Sequence, residues 1–117
     1  MVKGIGIDIV DIGKVKRACQ KWQHLFLHKV FSEREIKYCF SKKNPYPHLA
    51  ARFACKEAVI KALGKNIGFK KIEVENLDTG KPLCKINDEE YKNCNIMVSL
   101  SHLEKYATSV AILIEKG

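Results

Sequence analysis

Polar and apolar residues alternate at the start of the chain. In GIGIDIV, residues 4–10, Ile5, Ile7 and Ile9 fall on one side and Gly4, Gly6, Asp8 and Val10 on the other. A period of two predicts a strand with one apolar face and one nearly bare face. Asp11 stands where a helix cap belongs, and the predicted helix runs from Ile12 into the high twenties. Phe31 and Ser32 open a second helix, with Ser32 and Glu35 in capping-box register. The stretch SKKNPYPH, residues 41–48, holds two prolines and an asparagine and reads as a break. RFACKEAVIKALG, residues 52–64, is a further helix. Residues 71–77 alternate as a strand, 78–82 form a turn, and 83–86 read as the return strand of a hairpin. Residues 88–93 are a short helix or turn, and 95–101 and 108–115 are strands joined by a bend. Helices come first and antiparallel strands last, so the class is α+β, with the N-terminal strand and helices packed on a small antiparallel sheet. No repeat, low-complexity segment or linker divides residues 1–117, which read as a single domain.

The helix over residues 52–64 has little room for a solvated face. Stepping ~100° per residue, Ala54, Cys55, Ala58, Val59 and Ala62 form one stripe of small side chains that lets another element pack closely. Arg52 and Lys56 form one polar patch, and Glu57 and Lys61 another. Phe53 and Ile60 hem Glu57 in, which predicts a partly exposed carboxylate.

Charge adds a polarity. The net charge is +8, and residues 12–56 hold eleven bases against Glu33 and Glu35 alone. Between Asp11 and Glu33 there are only Lys14, Lys16, Arg17, Lys21 and Lys29. Such a field attracts an acidic partner, whether nucleic acid, anionic lipid or acidic protein; a face kept charged for solubility is the plainer reading. The five cysteines are scattered, without a C-x-x-C pair, and read as reduced, mostly buried thiols of a cytoplasmic protein. Residues 1–10 lack the apolar run of a signal peptide, and no run is long enough to span a bilayer. His24 and His28 lie one helical turn apart but lack an acidic or cysteine partner nearby, so they read as an ordinary helix flank.

Glu57 has two readings. It can pair with Lys61 at i, i+4, worth a few tenths of a kcal/mol (about 0.2–0.5). Alternatively it can meet Asp8, which projects from the bare face of the first strand and could otherwise cap the following helix. Two carboxylates brought together repel unless a cation lies between them. Two protein oxygens completed by waters and phosphates are how Mg²⁺ is usually held. Lys61, one turn on, would face the same phosphates.

GIGIDIV (4–10), RFACKEAVIKALG (52–64), GKP (80–82) and VSLSH (98–102), followed by Tyr106 and Ala107, resemble the holo-[acyl-carrier-protein] synthase family of 4′-phosphopantetheinyl transferases. Their order and spacing match over almost the whole chain. The resemblance implies a small α+β fold, assembly as a homotrimer with sites between subunits, and transfer of phosphopantetheine from coenzyme A to a serine of apo acyl carrier protein in fatty acid biosynthesis. It makes Asp8 and Glu57 the Mg²⁺ ligands and Lys61 a phosphate contact. It sets Arg52, Lys65, Ser99, Ser101 and His102 on the nucleotide side, with His102 otherwise a turn residue satisfied by backbone. The basic row of Lys14, Arg17 and Lys21 answers to the family's docking surface for the acidic carrier protein.

The chain departs from the family pattern twice. Lys14 stands where arginine is usual, keeping the charge and losing the bidentate fork. Lys65 and Asn66 replace a common Thr-Gly pair after KALG, so that Lys65 would supply charge where backbone amides usually cradle a phosphate.

Such a transfer asks mainly for positioning and charge neutralisation. The carrier serine is the nucleophile, and its proton would pass to Glu57 or to a metal-bound water. Two rival readings fit less well. An actin-like kinase needs a second domain and far more chain. A nucleic-acid module would show a zinc finger or RNP-like aromatics, and Trp22 is most simply core. The expectation is therefore no nucleic acid and no membrane partner.

Overall fold

The structure is a computed structural model that describes residues 1–116. Strand β1 spans Val2–Asp11, and Asp11 caps helix α1, Ile12–Trp22, by accepting from Lys14 N at 3.2 Å. The long first helix expected from the sequence is in fact two. Gln23, at φ 47° and ψ −121°, separates α1 from α2, His24–Val30. A left-handed non-glycine residue costs about 1–3 kcal/mol, and no glycine or proline marks the position. Trp22, read as core, lies exposed at this corner.

Helix α3, Glu33–Phe40, starts with the expected capping box: Ser32 Oγ accepts from Glu35 N, and Glu35 Oε1 accepts from Ser32 N at 2.8 Å. Helix α4 spans Pro45–Leu63, so it begins inside the stretch read as a break. Asn44 accepts from Tyr46 N, and Pro45 occupies a first-turn position where a missing N–H loses no helical bond. The two prolines thus start the helix instead of stopping it. Gly64, at φ 71°, ends it in the left-handed cap.

The remaining strands are β2, Ile72–Asn76, β3, Pro82–Ile86, β4, Cys94–His102, and β5, Tyr106–Glu115. One antiparallel sheet has the order β1-β5-β4, and β2-β3 is a separate hairpin. Helix α4 is the spine between two clusters of buried side chains. Val15, Phe31 and Leu49 anchor the cluster among the helices; Val59, Ile72 and Leu113 anchor the one between α4, the sheet and the hairpin.

The bare face of β1 and the small-residue stripe of α4 meet each other. A Cβ on Gly4 would collide with the carbonyl of Ala62, and one on Gly6 with that of Ala58. The stripe is consumed inside the chain and is not free for a second copy. The other face of β1 is what stays open: Ile5, Ile7 and Ile9 are each about two-thirds exposed. Register sets Ile5 opposite Ile112 and Met97, an apolar row across all three strands, and sets Ile7 opposite Val110 and Ser99.

Candidate functional site

Asp8 belongs to the inner, glycine-lined face of β1, and the close approach of α4 to that face brings its carboxylate to the helix. Thr108 Oγ1 donates to the Asp8 carbonyl at 2.8 Å and fixes the strand there. The side chain neither caps α1, a role Asp11 fills, nor stands free. Lys61 Nζ lies 3.1 Å from Asp8 Oδ1 and 3.0 Å from the Ile7 carbonyl. The i, i+4 ion pair between Glu57 and Lys61 does not form; Lys61 crosses to β1 instead.

Asp8 and Glu57 line one cleft of about 440 Å³. Lys14 and Asp11 also line it, with the apolar Val15, Phe26 and Phe53 among its other walls. Burial first, and then the Asp8 carboxylate, push the Glu57 carboxyl up, with Lys61 opposing. This is the repulsion expected of two acids sharing a pocket. Among the described residues no group of three or more His, Cys, Asp or Glu side chains could hold a metal. Two carboxylates fall short of a tetrahedral zinc site, yet they fit a hard divalent cation that keeps waters and takes phosphate oxygens. His24 and His28 stack on the exposed side of α2, and Glu33 lies 3.6 Å from His28, closer than the sequence suggested.

Other expected site residues are dispersed. Arg52 is buried, not part of an exposed polar patch. Its guanidinium lies 4.3 Å from the Tyr38 ring centroid, donates to the His48 carbonyl and to Asn76, and leaves Nε without a partner. A phosphate could reach it only by displacing these neighbours. Lys65, beyond the C-terminus of α4, pairs with Glu90 at 2.9 Å. His102 packs against His48 near the other end of α4, with ring centroids 5.9 Å apart. His48 and Lys65 are thus separated by roughly 25 Å of helix at 1.5 Å per residue. Ser99 and Ser101 lie on the outer sheet face, opposite to that of Asp8. Asp8, Glu57, Lys61 and Lys14 are brought together; the nucleotide-side set is not.

Lys14, Arg17 and Lys21 are exposed along α1 as expected. Lys14, however, also borders the carboxylate cleft, so the basic row and the acidic pair share one opening. Lys21 lies over the Trp22 ring, 4.9 Å from its centroid, and exposed Trp22 and Leu25 make the end of the row apolar.

Sequence reasoning missed a buried network around Lys56 of α4. Lys56 donates to Glu35 at 2.7 Å and to the carbonyls of Val30 and Phe69 at 2.8 and 3.2 Å. Glu35 Oε2 accepts from Val74 N at 2.8 Å. The available signal was Glu35 itself, an acid in a capping box four residues after Phe31, which is fully buried.

A sequence model of the 4′-phosphopantetheinyl transferase superfamily matches residues 4–111. The chain is 48% identical over 115 residues to the holo-[acyl-carrier-protein] synthase of Thermodesulfovibrio yellowstonii, covering 97% of this chain and 99% of that protein. It superposes with a TM-score of 0.84 on the Helicobacter pylori holo-[acyl-carrier-protein] synthase crystallised with coenzyme A, at 31% identity, covering 93% of this chain and 98% of that one. A Bacillus anthracis holo-(acyl-carrier-protein) synthase, in complex with CoA (3′,5′-ADP), gives a TM-score of 0.85 at 29% identity, covering 100% and 99% of the two chains.

Proposed function

The chain belongs to the 4′-phosphopantetheinyl transferase superfamily, and we propose that it moves 4′-phosphopantetheine from coenzyme A to a serine of apo acyl carrier protein. The observation that carries the reading is the shared cleft of Asp8 and Glu57 with the basic face of α1 at its mouth. The serine Oγ attacks the β-phosphorus, the bond to the bridging oxygen breaks, and adenosine 3′,5′-bisphosphate leaves. The serine proton would pass to Glu57, which lines the cleft, or to a water held at the same site.

Asp8 and Glu57 are the residues that would hold Mg²⁺. Bound there, the ion would neutralise the pyrophosphate and stabilise the departing bisphosphate. Lys14 adds positive charge to the same cleft, and Lys61 adds it beside Asp8. Lys14, Arg17 and Lys21 meet the acidic carrier, where charge chiefly sets encounter rate and register.

The exposed apolar sheet face supports assembly of copies, as a homotrimer in the arrangement the family resemblance implies. Monomers rarely leave such a patch to water, and here it runs across Ile5, Ile7, Ile9 and Met97. Assembly through this face would also use Ser99 and Ser101, which point away from their own chain's carboxylates. His102 and Arg52 then belong to the nucleotide side of a site completed by a neighbouring copy, and Lys65 to its phosphate end. Five free thiols suit the cytoplasm.

The test is incubation with coenzyme A, Mg²⁺ and apo acyl carrier protein, read by mass spectrometry. The carrier gains one phosphopantetheine group only when all three are present. A carrier left unmodified under those conditions would overturn the reading.

A further inference from the structure

Lys61 contacts β1 and nothing on its own helix. Its ammonium rests on Asp8 Oδ1 at 3.1 Å and on the Ile7 carbonyl at 3.0 Å. Helix geometry offers Glu57, one turn back, as the nearer choice, and Lys61 passes it over. The two side chains differ in exposure: Asp8 is 18% exposed and Lys61 is 54% exposed. A largely enclosed carboxylate of the cleft therefore holds a half-exposed cation.

We propose that Lys61 is the resident counter-ion of the carboxylate pair, holding Asp8 until a divalent cation displaces it and then turning to the substrate's phosphates. This rests on the metal reading above. Unrelieved, Asp8 and Glu57 repel, and the ammonium cancels one of their charges at contact distance. A divalent ion held by Asp8 would leave the ammonium as a like-charged neighbour. One of the two must give way. The lysine is the one on a flexible four-carbon stem, already half in solvent.

The consequence is a coupling between ligands. Metal binding alone breaks the contact between Lys61 and Asp8 and is weakened by it. Phosphate oxygens arriving with the substrate give the displaced ammonium a new partner. Metal and substrate then strengthen each other's binding, reciprocally and by the same factor.

The experiment measures Mn²⁺ binding to the whole protein by electron paramagnetic resonance, with and without coenzyme A and with no carrier present. Without coenzyme A, Lys61→Gln should bind Mn²⁺ about tenfold more tightly than the wild type, within the usual range of coupling between sites. Lys61→Arg, which keeps the charge, should stay near the wild type. Saturating coenzyme A should tighten Mn²⁺ binding more in the wild type than in Lys61→Gln. If Lys61→Gln binds Mn²⁺ no more tightly than the wild type while Asp8→Asn abolishes binding, the counter-ion role is wrong and the metal reading stands. If Asp8→Asn and Glu57→Gln both leave binding intact, the metal reading fails and this proposal goes with it.

Discussion

Lys56 Nζ lies 2.7 Å from Glu35 Oε1, and neither side chain has any exposure to solvent. The pair ties α4 to α3, and its further bonds reach the end of α2, the segment before β2, and β2 itself. Burial pushes the Lys56 ammonium down, and the adjacent Glu35 carboxylate works against that. Lys56→Ala strands a carboxylate in the core and should cost about 3–5 kcal/mol, seen as a lower urea midpoint. Lys56→Met combined with Glu35→Gln removes both charges and should recover part of that loss. A single variant as stable as the wild type would show the pair to be idle.

Asp8→Ala and Glu57→Ala should each slow transfer on the order of 10²–10³-fold, the usual effect of deleting one charge-stabilising group. Far-ultraviolet circular dichroism should be unchanged. Near wild-type turnover at limiting Mg²⁺ would remove that carboxylate from the metal site.

Arg17 and Lys21 are exposed and do not line the cleft, whereas Lys14 does. Reversing Arg17 and Lys21 to glutamate should raise the carrier KM about tenfold or more with kcat held, and the effect should shrink with salt. Lys14→Glu should lower kcat as well and weaken coenzyme A binding. Equal behaviour of the two variants would make the row a single docking element.

Ile7→Asp places a charge in the centre of the open sheet face. It should dissociate the assembly into monomers in sedimentation velocity and take the activity with it. A fully active compact monomer, variant or wild type, would sink the trimer.

His48 holds its proton less readily than an ordinary histidine, through burial first and then repulsion by Arg52, His102 and Lys42. As pH falls below about 6.5 the unfolded chain takes up more protons than the folded one. Stability contributed by neutral His48 is thus present above that value and declines below it. His48→Gln should flatten the slope of stability between about pH 5 and pH 6.5, measured by urea melts at several pH values. An unaltered slope would assign the proton uptake to another group.

Much of this was legible in the chain because local chemistry and period agreed. The alternation of GIGIDIV gave β1 and its two faces, and Ser32 with Glu35 gave the start of α3. What failed was decided at longer range or without a marker. Gln23 breaks a helix with an ordinary side chain, and Pro45 and Pro47 read as punctuation until Asn44 is seen to cap them. Lys56 looks like any surface lysine in sequence. Only Glu35, Val30 and Phe69, brought from three other segments, show why it can be buried. The partnership of Asp8 with Glu57 was readable in principle, but the crossing of Lys61 to β1 depends on how closely two glycines let a helix approach.

The strand that carries Asp8 also acts as a proofreading device. Its inner face carries Gly4, Gly6 and Asp8, and its outer face Ile5, Ile7 and Ile9. A slip of one residue in its pairing with β5 would exchange the two faces. Isoleucines would then be driven into the carbonyls of α4 while the aspartate turned outward, and the misregistered chain could not close. The packing that admits the helix therefore also fixes which way Asp8 faces.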